Sequence, residues 1–180
     1  HDMVYMMEAQ YSKLGHHNRA YFVTPDAEHH LLSLPVSKPN GWPSLNEIEL
    51  IRDVRVPSKM LKFLRQTYKK SSYFGESEEM IDAIENFHSR SSSLADFNRQ
   101  MFEYLILLLK LRVRTHMAHE LVGQYRKDDW TATDWVCRMG EEVEATDYLC
   151  GRVATEQYWE FQISAEYGYQ VWYQQYDMPK

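Results

Sequence analysis

At 180 residues, with 44% hydrophobic and 26% charged side chains, the chain has the composition of a globular protein that buries a core without staples, and not that of a disordered one. Its formal net charge of −6 excludes a protein that coats nucleic acid in bulk, because such binding draws on a surplus of Lys and Arg. No apolar run approaches ~18 residues and no charged segment leads into a short apolar one, so neither a membrane span nor a secretory signal is expected.

In chain order, the apolar residues 4–7 suit a short buried strand, and a polar stretch, residues 10–19, follows them. Residues 20–24 and 31–36 flank Pro25 and Asp26, the layout of a hairpin. Residues 38–43 concentrate turn formers, and Leu45, Ile48, Leu50 and Val54 suggest a further extended piece. Pro57 marks the start of a helix carrying Leu61, Leu64 and Tyr68 at helical spacing. Ser77 is expected to cap a second helix with Met80, Ile81, Ile84 and Phe87. The serines at 91–93 then cap a third, residues 94–111, whose broad apolar face marks it as the central helix.

The remainder alternates: strand at 112–117, helix at 131–143, strand at 148–150, helix at 155–167, strand at 169–173. Gly168 stands where a helix end needs a left-handed residue. This order predicts an α/β fold: a Rossmann-like mixed sheet with an N-terminal hairpin and an inserted helical segment, in a single domain over residues 1–180.

Polar groups cluster after the first predicted strand. Ligands of α/β sheets bind beyond the carboxyl ends of strands, so Gln10, Tyr11, Lys13, Asn18 and Arg19 are candidate substrate-binding residues, Lys13 and Arg19 for phosphate or carboxylate and Gln10 and Asn18 for orientation. An ordinary polar loop is the alternative reading of the same residues. The pairs His16, His17 and His29, His30 invite a metal, but adjacent strand positions face opposite ways and no carboxylate stands at a recognised spacing. His119 and Glu120 do not form HExxH, and are candidates for an acid/base role. The late aromatics fit a core better than a stacking platform. Cys137 and Cys150 are too few for a disulfide scaffold, which makes a reducing cytoplasm the expected compartment. His1 in place of an initiator methionine suggests that the chain's own beginning is missing.

Several separated blocks carry a resemblance. The sequence from Glu8, Ala9 and Gln10 through Lys13, with Asn18 and Arg19, is similar to an Asp-Gln-aromatic-Lys pattern followed by Asn-Arg; Leu32 to Val36 with Lys38 is similar to an apolar strand ending in Pro-Val; Tyr68 to Phe74 resembles Tyr-Lys-Ala-Pro-Tyr-Phe; Ala145 to Gly151, with Tyr158 and Gly168, resembles a closing pattern that usually reads Tyr-Leu-Ser-Gly. Together they resemble the WbqC-like family, which is associated with bacterial surface polysaccharide (O-antigen) gene clusters. The family's opening Gln-Pro and Tyr-Leu-Pro-Trp block does not occur, and its Ser-Ser-Glu-Leu block reads Ala118-His119-Glu120-Leu121. The resemblance implies a site around residues 10–19 and adds Tyr73, Tyr148 and Gly151 as substrate-binding candidates. Taken with the α/β order and with Lys13 and Arg19, it makes the expected function a transferase-type enzyme of surface polysaccharide or nucleotide-sugar biosynthesis that takes an anionic nucleotide sugar or another activated small molecule and works beside partner enzymes. It names no cofactor. A noncatalytic scaffold and a nucleotide-tailoring protein are the alternatives.

Overall fold

The computed structural model describes residues 1–26, 28–38, 40–52, 55–123, 130–151 and 159–174. The strands are β1 (Asp2–Tyr5), β2 (Arg19–Val23), β3 (His29–Ser33), β4 (Arg114–Met117), β5 (Asp147–Gly151) and β6 (Gln170–Gln174). The helices are α1 (Arg55–Tyr68), α2 (Phe74–Arg90), α3 (Leu94–Leu108), α4 (Ala118–Val122), α5 (Ala132–Glu142) and α6 (Phe161–Glu166), and one 3-10 turn covers Leu45–Glu47. The fold is therefore mixed helix and strand. The strands make three two-stranded sheets: β1–β4 and β5–β6 are parallel and β2–β3 is antiparallel. No helix among the described residues is long and apolar enough to cross a membrane.

The chain divides into two compact units, Met7–Val113 and a discontinuous one made of His1–Met6 with Arg114–Lys180. In the first, the expected hairpin is present, with Ala20 opposite Leu32 and Phe22 opposite His30. Its core gathers Tyr11 and Leu34 from the hairpin side, Ile48 and Leu50 beyond it, Leu61 and Leu64 of α1, Ile81, Ile84 and Phe87 of α2, and Leu94 and Phe97 of α3. Leu61 and Leu64 are 1% and 2% exposed, so each contributes about 2 kcal/mol of apolar burial.

Three expectations for this unit need correction. Residues 45–47 close a 3-10 turn, because Glu47 reaches back to the Ser44 N–H and hydroxyl at 2.8 Å, and extended backbone begins only at Ile48, with Leu50 bridged to Val36; Val54 lies outside the described residues. Helix α2 begins at Phe74, so Ser77 sits inside its first turns and donates its hydroxyl to the Tyr73 carbonyl at 3.1 Å instead of capping. Helix α3 is capped as expected by Ser93, whose oxygen accepts the Asp96 N–H at 3.2 Å. It ends at Leu108, however, and is apolar beyond what it buries: Leu94 and Phe97 are buried, whereas Phe102, Leu107 and Leu108 are exposed.

Polar groups tie the α2–α3 corner. Arg52 donates to the carbonyls of Ser89 and Ser91 at 3.0 and 2.6 Å, and buried Ser91 accepts from the Gln100 amide at 2.9 Å. His88 is buried beside them, and its Nε2 has no hydrogen-bond partner among the described residues.

In the second unit β1 starts two residues earlier than its apolar run. Asp2 fixes that register: its carboxylate accepts from Arg114 at 2.9 and 3.0 Å and lies 2.8 Å from His116 Nε2, both on the paired strand. The hydrogen bonds to His116 and Arg114 hold the Asp2 carboxyl below its ordinary range. Helix α5 is closed by a capping box between Thr131 and Asp134. Ala118, Val122 and Met139 form a small core with Val4, Leu121 and Trp135 against it. Gly168 has φ 75°, the left-handed residue expected before β6. Of the expected helix over 155–167 only α6 is present: residues 155–158 lie outside the described ones, and Trp159 and Glu160 precede the helix without being part of it. The late aromatics are divided: Trp159 is buried and stacks on Tyr148 at 4.6 Å, while Phe161, Trp172 and Tyr173 are more than half exposed.

Two outcomes test these interiors. Burial, helped by the Arg52 charge, pushes the His88 imidazole below its ordinary 6.5, and His17 moves the same way through burial and the neighbouring His16. The unfolded chain thus takes up these protons more readily than the native one, so stability is full above about pH 6.5 and falls as the pH drops below it. Urea melts at pH 7.5, 6.0 and 5.0 should show this fall, and His88→Gln should make it shallower. At Gly140 an added Cβ would stand 2.7 Å from Tyr169 Oη, which donates to the Cys137 carbonyl at 2.8 Å. Gly140→Ala is expected to cost about 1–3 kcal/mol in the same melts, as an overpacked contact does.

Candidate functional site

After β1 the chain runs into the polar stretch, and local bonds set its course. The Tyr11 N–H donates to the Pro43 carbonyl at 2.9 Å, and the Gly15 N–H to the Ser12 carbonyl at 3.1 Å, closing a turn. Gly15 suits that turn, since an added Cβ would stand 2.9 Å from the His17 ring and force it to shift. Tyr11 is buried in the core, and its hydroxyl donates to Asn18 Oδ1 at 3.3 Å. Asn18 Nδ2 donates in turn to the Leu34 carbonyl at 2.8 Å. From helix α3, Asn98 Nδ2 donates to the His17 carbonyl at 2.9 Å.

These bonds frame a pocket of about 220 Å³. His16, His17, Asn18, Arg19 and Asn98 supply its polar lining. The hairpin gives it Ala20, Phe22, Leu32 and Leu34, and helices α1 to α3 give it Met60, Ile84, Phe97 and Met101. Such a cavity, apolar with a few converging polar groups, is the usual form of a small-molecule site. Arg19 is its distinctive group. Its Nε is buried without a hydrogen-bond partner, and no ion pair engages the guanidinium among the described residues. The Arg19 side chain as a whole is only half-buried, but a buried N–H without an acceptor is costly, which makes the position attractive to an anion. His17, with its proton affinity lowered by burial, presents a neutral ring near pH 7.

The other candidates take different places. Gln10 and Lys13 are exposed and do not line this pocket; Gln10 forms an isolated bridge with Ser44. Tyr73 is 70% exposed at the start of α2. Near it in sequence, Lys70 and Ser71 line a second pocket of about 280 Å³ with Val23, Pro25 and Tyr68, and the Tyr68 hydroxyl donates to the Val23 carbonyl at 2.9 Å. His119 and Glu120 are adjacent and exposed on α4, and Tyr148 and Gly151 lie on β5, all four in the discontinuous unit. Tyr148 packs on Trp159, and Gly151 is exposed with open space where a Cβ would stand. Both cysteines are buried and free, and burial pushes the Cys137 thiol up to about 11, so it is no nucleophile at neutral pH. Among the described residues no group of three or more His, Cys, Asp or Glu side chains could hold a metal ion.

His16, His17 and Asn98 are the lining groups that sequence reasoning did not assign to binding. The two histidines were visible only as a metal question, and Asn98 stands 81 residues from the backbone it holds, too far for any local pattern. Removing the Asn18 side chain should separate framework from ligand contact. Asn18→Ala leaves the Leu34 carbonyl and Tyr11 hydroxyl without their partner, and a loss of about 1–3 kcal/mol in urea melts of the ligand-free protein is expected. Unchanged stability would mean that the bridge does not hold the loop.

Set beside known proteins, the chain matches no curated protein and no solved structure. The profile of the WbqC-like protein family, in contrast, matches residues 1–180, the whole sequence. The chain belongs to the WbqC-like protein family.

Proposed function

We propose that this protein is a transferase-type enzyme of surface polysaccharide (O-antigen) or nucleotide-sugar biosynthesis, working in the cytoplasm on an anionic, phosphorylated small molecule. The observation that carries the anionic substrate is Arg19: a guanidinium with a buried, unpartnered Nε in the lining of a 220 Å³ pocket. Charge-assisted hydrogen bonds from a guanidinium to phosphate are strong and directional, and low local dielectric raises their worth further. Lys13, exposed on the preceding turn, adds a screened attraction and no fixed contact. Family membership supports the biosynthetic setting, and the parallel β1–β4 and β5–β6 pairs favour a Rossmann-like relation among the strands. His119 and Glu120 are the proposed acid/base residues on the sequence pattern alone.

A scaffold reading draws on one different observation. Leu107, Leu109 and Leu111, at and beyond the end of α3, are 76%, 61% and 51% exposed, more apolar surface than a helix end needs.

Titration with a panel of nucleotide sugars, nucleoside phosphates and acyl phosphates distinguishes the two. At least one is expected to bind, with Arg19→Ala weakening it about tenfold to a hundredfold at unchanged melting temperature and Lys13→Ala having a smaller, salt-dependent effect. Binding to none of them by the folded protein, together with capture of a biosynthetic enzyme that Leu109→Asp abolishes, would replace the enzyme by the scaffold.

A further inference from the structure

The polar groups of the Arg19 pocket are not equally available. Asn18 is hydrogen-bonded at both ends of its amide, to the Tyr11 hydroxyl and the Leu34 carbonyl. The Asn98 amide is held by the His17 carbonyl. What remains is one guanidinium, the rest of the Asn98 amide and the rings of His16 and His17, set against a lining drawn from the apolar side of the hairpin and from three helices. A pyranose placed there would bury several hydroxyls against Phe22, Leu34, Phe97 and Met101, and each hydroxyl without a partner costs roughly tenfold in affinity. An alkyl chain or ring meets no such penalty. An enclosed apolar cavity of about 150 Å³ accommodates benzene, so this pocket of about 220 Å³, which is partly open to solvent, has the volume for roughly six to eight carbon atoms.

We infer, resting on the anion reading of Arg19 above, that the pocket takes an amphiphilic anion: a short acyl or alkyl body against the apolar lining, with its phosphate or carboxylate on Arg19. The group that a transferase of this kind would hold in this cavity is then acyl-like, and any sugar of the substrate lies outside it. Bidentate contact with Arg19 fixes the head, while the apolar lining reads the length and breadth of the tail.

The test is calorimetric titration of the whole protein with inorganic phosphate, with butyl, hexyl and octyl phosphate, with the carboxylates of the same chain lengths, and with glucose 1-phosphate. The dissociation constant should fall about threefold to fourfold per added methylene up to roughly six carbons and then level off. A slope in either head-group series is the expected result, and the tighter series names the head group. Glucose 1-phosphate should bind no tighter than phosphate. Arg19→Gln should weaken every member by a common factor of about ten or more and leave the slope intact. Met101→Trp, which fills the cavity, should flatten the slope; should that variant fail to fold, the slope of the unaltered protein decides. A flat series in which phosphate still binds through Arg19 overturns this inference and leaves the anion site standing, as does glucose 1-phosphate binding tighter than hexyl phosphate. A slope without dependence on Arg19 overturns the anion site, and the amphiphile with it.

Discussion

Asn18 is the residue on which the arrangement of the first unit turns. Its carbonyl accepts the Leu34 N–H at 2.7 Å, continuing the β2–β3 ladder one step past Arg19 and Ser33. The return bond of that step would come from its own backbone N–H, but the side-chain amide supplies it instead, donating to the Leu34 carbonyl. The ladder is thereby completed while the main chain is already free to leave the sheet. Through Oδ1 the same side chain holds buried Tyr11, so the departing loop is fastened to the core. Arg19, as the first residue of the strand so anchored, has its backbone fixed by sheet geometry, and its charge stands at the pocket on a rigid base.

What could be read from the sequence follows the range over which each cause acts. The hairpin around Pro25 and Asp26, the helices carrying Leu61, Ile81 and Leu94, the Ser93 cap and the left-handed Gly168 depend on neighbours a few residues away, and all are present. The pairing of β1 with β4 depends on Asp2 meeting Arg114 and His116, which no window along the chain contains. Helix α3 shows the limit of periodicity: an apolar face continues toward its end, but where the supporting core stops is a tertiary fact. At the site, Asn18 and Arg19 were legible as polar groups after a strand. Their different duties were not, since one is consumed by the framework and the other left without a partner, a distinction made by Tyr11, Leu34 and the helices.

The polar interior of the first unit shows what its apolar packing requires. Where α2 gives way to α3, the chain must turn with Ser91, Ser93 and His88 inside, and Arg52 satisfies two carbonyls that the turn exposes. A neutral imidazole is the form of His88 that this interior favours, because its Nε2 finds no hydrogen-bond partner among the described residues. The pocket uses the same economy in reverse. Its amides are partly engaged by the fold, so recognition is left mainly to one charge and to shape.

The register of β1 against β4 bears on how the chain acquires its structure. Strand β1 leaves the ribosome before its partner β4, which follows the entire Met7–Val113 unit. That intervening unit contains its own hairpin, helices and core, so its contacts can form while β1 still waits. Closing so long a loop is entropically unfavourable, though the penalty grows only logarithmically with length, and it is smaller once the intervening residues have condensed and their ends are near one another. During synthesis β1 is therefore an unpaired edge until β4 arrives, and the charge on Asp2 gives that waiting edge some protection against pairing with another chain.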